Sequence, residues 1–235
     1  MVLKPSSNDK INGIIFAISY FSTLALRTES FEANKQFYKG VLYGIPLVGV
    51  ILALLTVLIY NILPFHPVYS ALIASIIYLF MTGFLHFEGL ADTIDGWYAS
   101  YSSKDIYKVM HEPQVGSIGA LGSVSFLILL ISSMVYCLYL EQYLVLFTAL
   151  LLSRTAVHFS LEFEFHEKST FIQAMKENYE PHILMTLLLY PLKLLVNYIL
   201  KTLQKRLGFL NGDTLGAMIV MVEIILINII LIFTV

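Results

Sequence analysis

The sequence is dominated by unbroken apolar segments that are as long as a lipid bilayer is thick. A helix needs roughly 20 mostly apolar residues to cross the hydrocarbon core. Hydrophobic residues make up 58% of the chain and charged residues 13%, against about 45–50% and about 25% in soluble domains. We therefore predict an all-α, polytopic membrane helix bundle that forms a single domain over residues 1–235. Five segments are long enough to span, and they are residues 41–63, 68–87, 118–140, 143–161 and 214–233.

Two further segments give no clear prediction. Residues 11–26 are short and carry three hydroxyl side chains, so they either lie in the membrane interface or only dip into the bilayer. Residues 182–205 are long enough to span, but Pro191 interrupts them, and proline kinks or breaks a helix. This segment either crosses once or forms a re-entrant hairpin at Pro191. Its second half is basic and amphipathic, as an interfacial helix would be. The total is about six or seven membrane segments.

Basic residues predict the orientation, because cytoplasmic loops are enriched in lysine and arginine. The turns at 64–67 and 141–142 contain no lysine or arginine. The longer connections 27–40, 88–117 and 162–181 lie on the opposite side, and they contain Arg27, Lys35, Lys39, Lys104, Lys108, Lys168 and Lys176. We place these connections, and with them the active site, on the cytoplasmic side of an inner (cytoplasmic) membrane. A hairpin at Pro191 would return Asp213 to this side, whereas a single crossing would not.

Charge and cysteine usage exclude several classes of function. The net charge of −2 gives no case for a nucleic-acid partner. The single cysteine, Cys137, cannot form an intrachain disulfide and is typical of a buried apolar side chain. The six histidines show no zinc-binding spacing. We expect the chain to be surrounded by membrane lipid. The sequence is compatible with both a monomer and a homo-oligomer.

The most informative stretch is GFLHFEGLADTIDGW, residues 83–97. Its carboxylates Glu88, Asp92 and Asp95 follow an i, i+4, i+7 spacing, so on a helix they lie within about 60° of one another. Like charges on one face repel, which makes the arrangement costly without a cation. Carboxylate oxygens suit hard cations, and Mg²⁺ typically takes one or two carboxylates together with substrate phosphates. The stripe predicts a Mg²⁺ site, and the alternative is a solvated acidic loop.

The next element, residues 106–122, adds candidates for the same site. Glu112 is a fourth carboxylate, and Lys108 is a candidate phosphate contact. His111 is either a phosphate contact or an ordinary solvated histidine. Glycines recur every third residue from 116 to 122, which is also typical of tight helix–helix packing.

Ionisable residues within or beside apolar segments indicate function by default. Arg154 either pairs with a phosphate or with the acidic stripe, or it extends towards the nearest polar loop. Asp213 either joins the metal site or caps the last helix. Glu223 lies deeper and needs a partner or a proton. His86 is either an acid/base or phosphate-binding group or a histidine at the membrane interface.

These motifs together resemble the signature of the cobalamin synthase (adenosylcobinamide-GDP ribazoletransferase) family. HFEGLADTIDGW followed by IYKVMHEPQVGSIGALG is similar to the family pattern HLDGLADTADG followed by IMKDSRIGxFG. GIPLVGVILALL (44–55), SRT (153–155) and LNGDTLGAMIVMVE (210–223) match further family elements in the same order. Glu88 and Glu112 stand at positions where the family pattern has aspartates. His111, Pro113 and Gln114 replace Lys, Ser and Arg, so less positive charge is left for a diphosphate.

The resemblance implies a Mg²⁺-dependent transferase of vitamin B12 biosynthesis. Its substrates would be adenosylcobinamide-GDP and α-ribazole or α-ribazole 5′-phosphate, and GMP would be released. Carried over by position, Glu88, Asp92, Asp95 and Glu112 would hold the metal. The catalytic candidates would be Asp95 or Asp213 as proton acceptor together with His86, and the substrate contacts would be Lys108, His111 and Arg154.

Three other classes compete with this interpretation. A CDP-alcohol phosphatidyltransferase-like enzyme also uses spaced aspartates, but its DGxxAR motif is absent, since WYAS follows Asp95-Gly96. A UbiA-type prenyltransferase would need a second aspartate-rich loop. An ion-coupled transporter could use Glu88, Asp92 and Glu223 as a relay. Release of GMP from the nucleotide-activated corrinoid separates an enzyme from a transporter.

Overall fold

The computed structural model describes residues 7–26, 33–102 and 104–234, and the side chains from residue 9 onwards. Arg27, which entered the orientation prediction, lies outside these residues. The described residues form helices and no strand, which confirms the all-α prediction. The helices are α1 (Ser7–Tyr20), α2 (Lys35–Ile62), α3 (Pro67–Met81), α4 (Leu85–Ala99), α5 (Ile106–Met110), α6 (Ser117–Tyr139), α7 (Tyr143–Ser160), α8 (Thr170–Glu177), α9 (Ile183–Leu188), α10 (Tyr190–Leu207) and α11 (Gly212–Thr234).

Four helices are long and apolar enough to cross a membrane: α2, α6, α7 and α11. They correspond to four of the five predicted spans. The number rises to five if the bent pair α3 and α4 counts as one span. The described residues thus support fewer membrane segments than the six or seven predicted. The chain is a membrane protein of the helix-bundle class.

The predicted span 68–87 is wrong beyond Met81. α3 ends there, and α4 begins at Leu85 with its axis turned by 80°. Gly83 (φ 61°) and Phe84 (φ 56°) between them adopt the left-handed conformation, which a continuing α-helix excludes. The acidic stripe therefore lies on a separate helix that crosses the end of the bundle, and much of the predicted loop 88–117 is helical.

The predicted re-entrant segment at Pro191 is also corrected. Pro191 lies in the first turn of α10, where a proline needs no intrahelical donor. Pro191 therefore marks the start of α10, which follows the end of the short helix α9. Neither α9 nor α10 is among the candidate spans in the described chain. In the described chain, the bent helix pair is formed by α3 and α4, and its break lies between Met81 and Leu85.

The last helix, α11, is the centre of the bundle. It packs against α4, α6, α7 and α10, while α2 packs against α1, α3 and α7. α1 has 14 residues, ends at Tyr20 and is not among the candidate spans. Asn34 begins α2, because its side chain accepts hydrogen bonds from the backbone N–H groups of Gln36 and Phe37. The arrangement brings the start of α11 against α4.

Candidate active site

A cavity of about 400 Å³ opens at the end of the bundle where α4 meets the start of α11. Three carboxylates from these two helices line it: Glu88, Asp92 and Asp213. Glu88 is exposed, whereas Asp92 and Asp213 are half-buried. The remaining polar wall comes from His86, Tyr107, His111, Lys168, Ser169, Thr170 and Asn211. Residues far apart in the sequence thus form one site.

Two glycines allow α4 and α11 to approach this closely. A Cβ atom at Gly89 would lie 2.8 Å from the Cα atom of Asp213, and one at Gly216 would lie 3.3 Å from the Cα atom of His86. Small residues let helix backbones come together in membranes. Asp213 consequently lies at the same end of the bundle as the acidic stripe. The structure brings these sequence-predicted residues together.

Among the described residues, no lysine or arginine forms an ion pair with the carboxylates of the cavity, and the attractive interaction of Asp92 and Asp213 is with His111. The charge on Asp92 interacts with those of Asp213, Glu88 and Asp95. None of the described ion pairs involves a carboxylate of this cavity. Asp213 is oriented by the amide of Asn211, whose Nδ2 donates to its Oδ2 at 2.7 Å. Uncompensated like charges in a half-buried site favour binding of a cation.

These donors fit Mg²⁺ in an open site. Among the residues described, no group of three or more Asp, Glu, His or Cys side chains is already arranged as a metal cluster. Mg²⁺ usually needs only one or two carboxylates, because water and substrate phosphate complete its coordination shell. Glu88, Asp92 and Asp213 line the cavity and supply hard oxygen donors of this kind. The chemistry of the donor set therefore fits a metal that binds together with a phosphorylated substrate.

Asp95, the third member of the predicted stripe, faces away from the cavity. Its two carboxylate oxygens accept hydrogen bonds from the backbone N–H groups of Gly116 and Gly119, both at 2.7 Å. A Cβ atom at either glycine would overlap the carboxylate. Asp95 thus caps the N-terminus of α6, where a negative charge is stabilised by the helix dipole. The helical spacing of the stripe is confirmed, and the metal and proton-transfer roles of Asp95 stay predictions.

Another part of the cavity lining is aromatic and carries one lysine. The Tyr107 ring is stacked between His111 and His166, with ring centroids 4.1 and 4.3 Å away. The ammonium group of Lys168 lies 4.9 Å from the centre of the Tyr107 ring. Lys168 is the only lysine or arginine among the described lining residues, and it forms no ion pair there. The N–H of His166 donates to the carbonyl of Leu210 at 2.7 Å, which holds this loop beside α11.

Other predicted site residues lie elsewhere. His86 is buried and lines the cavity, but Lys108 and Glu112 are exposed side chains outside its lining. The guanidinium of Arg154 pairs with the carboxylate of Glu223 deep in the bundle instead of with a residue of the acidic stripe. The roles of Lys108, Glu112 and Arg154 in substrate or metal binding stay predictions.

Sequence reasoning missed Tyr107, His166 and Lys168 as members of the site. His166 and Lys168 lie in a loop with several carboxylates, and no periodicity or motif distinguishes them there. The charge balance of the acidic site was the signal that could have pointed to Lys168. A cavity with several carboxylates that binds a diphosphate needs a cation from another part of the chain, and the long loops were the place to look for it.

The fold and the cavity together define a polytopic membrane protein with an acidic site suited to a metal and a phosphorylated ligand. The chain belongs to the cobalamin-5-phosphate synthase (CobS) family, whose model matches residues 13–231. This membership confirms the resemblance seen in the sequence motifs.

Several curated relatives carry the name adenosylcobinamide-GDP ribazoletransferase. The protein from Treponema denticola is 31% identical over 120 residues, which cover 51% of this chain and 46% of the relative. The protein from Alkaliphilus metalliredigens is 29% identical over 124 residues, covering 52% and 49%. The protein from Clostridium novyi is 32% identical over 119 residues, covering 48% and 46%. The chain thus spans about half the length of the curated relatives it matches. No solved structure matches the chain.

Proposed function

We propose that this chain is an adenosylcobinamide-GDP ribazoletransferase that requires Mg²⁺. It would transfer adenosylcobinamide phosphate from the GDP-activated corrinoid to α-ribazole or α-ribazole 5′-phosphate and release GMP. Family membership and the names of the relatives support this reaction. The observation that carries it is the convergence of Glu88, Asp92 and Asp213 in one cavity without a basic partner among the described ion pairs.

Each wall of the cavity would have its own task. Glu88 and Asp92 would hold the metal, with Asp95 and Glu112 as the further predicted ligands. Bound Mg²⁺ would neutralise the diphosphate and stabilise the departing phosphate of GMP. Lys168 would contact the diphosphate, because it is the one lysine or arginine among the described residues that line the cavity.

The transfer needs a group that accepts one proton. The acceptor hydroxyl attacks the phosphorus atom bound to cobinamide, a P–O bond forms, and the P–O bond to GMP breaks. We assign the proton to Asp213, which lines the cavity and is held by Asn211. His86 lies on the same wall and would orient the phosphate. Asp95 is the second candidate for the proton acceptor, although its hydrogen bonds to α6 make it less available.

The proposed location is the inner membrane, with the cavity facing the cytoplasm. Lys168 lies at the cavity, and Lys35 and Lys39 lie in the first two turns of α2. The turns 64–67 and 141–142 contain no lysine or arginine. The positive-inside tendency therefore supports a cytoplasmic cavity. A cysteine-accessibility assay on Ser169→Cys in a Cys137→Ser background would test this orientation in intact cells, and labelling from the periplasm would contradict it.

Turnover by the purified full-length chain tests the proposal. Incubation with Mg²⁺, GDP-cobinamide and α-ribazole phosphate should yield a complete corrinoid and one equivalent of GMP, and chelation of Mg²⁺ should abolish both. Asp92→Ala should lower kcat by at least about 100-fold, since a metal ligand would be lost. The control Glu177→Ala removes an exposed carboxylate outside the cavity and should keep normal turnover.

Binding measurements separate a metal role from a folding defect. Mg²⁺ with GDP should raise the Tm of the wild-type chain and leave that of Asp92→Ala unchanged, although both insert into membranes. Normal turnover by Asp92→Ala would refute the metal role. Absence of GMP release by the wild-type chain, in the presence of Mg²⁺ and both substrates, would refute the proposed reaction.

A further inference from the structure

A second cavity, of about 310 Å³, lies on another side of the bundle. It is enclosed by the first turns of α2, the last turns of α7 and the segment that follows α8. Its lining includes Lys39, Leu42, Pro46, His158, Tyr179 and Met185 and shares no residue with the acidic cavity. It is therefore a separate site, which the proposed transfer reaction does not use.

The cavity lies towards the N-terminal end of α2, which is the longest of the candidate membrane spans. α2 has 28 residues, so it is about 42 Å long, whereas the hydrocarbon core is about 30 Å thick. About eight residues of α2 must then extend beyond the core. The cavity uses the stretch from Lys39 to Pro46, at the N-terminal end of that helix. α7 ends nearby at Ser160.

One side of the cavity offers hydrogen-bond donors and a net positive charge. The Tyr179 hydroxyl is buried without a hydrogen-bond partner among the described residues, a situation that costs free energy unless a ligand or water satisfies the group. Burial, with a contribution from Glu162, raises the pKa of Tyr179 to about 12, so this hydroxyl stays protonated and can donate. Lys39 and Lys35 both pair with Glu180, at 3.1 and 3.0 Å, which leaves one positive charge in excess.

The other side of the cavity is apolar and continues onto the exposed apolar side chains of α9. Leu42, Pro46 and Met185 form this side. Met185 lies within α9, where the four large apolar side chains on either side of it are between 68% and 79% exposed. A ligand with its polar end at Tyr179 and Lys39 could extend an apolar chain along α9. This surface suits an acyl chain, because the bilayer itself supplies its surroundings.

We propose that this cavity binds the headgroup phosphate of an anionic phospholipid, whose acyl chain lies along α9. The phosphate oxygens accept hydrogen bonds from the Tyr179 hydroxyl and the Lys39 ammonium group. The excess positive charge at Lys35, Lys39 and Glu180 favours an anionic lipid over a zwitterionic one. A soluble phosphate ester has the same acceptor chemistry, but it leaves the apolar side of the cavity and the exposed α9 unused.

Native mass spectrometry of the full-length chain in detergent, titrated with phosphatidylglycerol or phosphatidylcholine, tests the proposal. The wild-type chain should retain phosphatidylglycerol at least fivefold more tightly than phosphatidylcholine. Tyr179→Phe and Lys39→Gln should each weaken phosphatidylglycerol retention at least fivefold. The matched control is Lys201→Gln, which removes the same charge from an exposed residue of α10 outside the cavity lining. This control should stay within twofold of wild type.

Stability in lipid-free detergent shows that the variants are folded. Tyr179→Phe removes an unpartnered hydroxyl and keeps the ring, so it should not lower the Tm. Equal lipid retention by all variants, or equal loss in the Lys201→Gln control, would overturn the site. Glycerol 3-phosphate serves as the soluble probe. If it binds with the same dependence on Tyr179 and Lys39 while phosphatidylglycerol does not, the assignment to a lipid is overturned.

Discussion

Replacement of Glu223 by leucine should strongly destabilise the bundle, because it would leave a buried arginine without a counter-charge. Arg154 and Glu223 are each only 2% exposed and form an ion pair between α7 and α11. Tyr78 from α3 completes the network, donating to Glu223 at 2.6 Å and accepting from Arg154 at 2.7 Å. After the replacement, Arg154 would keep only the neutral oxygens of Tyr78 and Ser153.

The magnitude follows from the burial of the pair. Loss of one partner of a buried ion pair typically costs about 3–5 kcal/mol. At about 2–4 °C per kcal/mol for a chain of this size, the Tm should fall by about 6–20 °C. Arg154→Leu should cost a similar amount. The double variant should be more stable than either single one, since it strands no charge and leaves only the Tyr78 hydroxyl unpartnered, at about 1–3 kcal/mol.

Thermal unfolding in detergent, followed by circular dichroism, gives the stability of the wild type, the two single variants and the double variant. The exposed pair between Glu164 and Lys176 is the control, and Glu164→Gln should change stability by no more than about 1 kcal/mol. Additive losses in the double variant would refute the reasoning, because they would mean that Arg154 and Glu223 do not depend on each other. A single Glu223→Leu variant as stable as wild type would do the same.

Three further predictions concern the acidic cavity. Lys168→Gln should raise KM for GDP-cobinamide at least about tenfold, as loss of a charged contact worth about 1.4 kcal/mol or more would, while Lys176→Gln in the following helix α8 stays near wild type in enzyme kinetics. Gly89→Ala should separate the two helices of the site and lower kcat, whereas Gly212→Ala, whose Cβ meets nothing within 4 Å, should fold and insert normally. Equal effects of the two glycine replacements on the Tm would contradict this packing account. Asp95→Ala should lose about 0.5–2 kcal/mol of stability as a helix cap, and Asp95→Asn should recover part of it in thermal unfolding, whereas an unchanged Tm for Asp95→Ala would contradict the cap.

Periodicity and composition predicted much of the fold. The apolar segments that became α2, α6, α7 and α11 were recognisable because a spanning helix must be apolar over a fixed length. The break after Met81 was not predictable, since it depends on a left-handed backbone at Phe84, and bulky residues rarely adopt that conformation. The start of a new helix at Pro191 was open to two interpretations, because proline both interrupts and initiates helices.

The site was predictable where neighbouring residues share a helix face and less so where separate segments meet. The spacing of Glu88 and Asp92 placed both in the cavity, but the same spacing could not show that Asp95 caps α6. That outcome depends on Gly116 and Gly119 approaching from another helix. Lys168 was recognised only as a loop charge, because its position beside Tyr107 arises from tertiary packing.

The sharp turn before α4 determines how the carboxylates are distributed with respect to the membrane. A straight continuation of α3 would have carried the 15 residues of α4 about 22 Å further along the axis of α3. With the axis turned by 80°, the same helix advances only about 4 Å in that direction. Glu88 and Asp92 therefore lie side by side at nearly one level. A ligand that lies across the end of α3 reaches both carboxylates without moving along the axis of that helix.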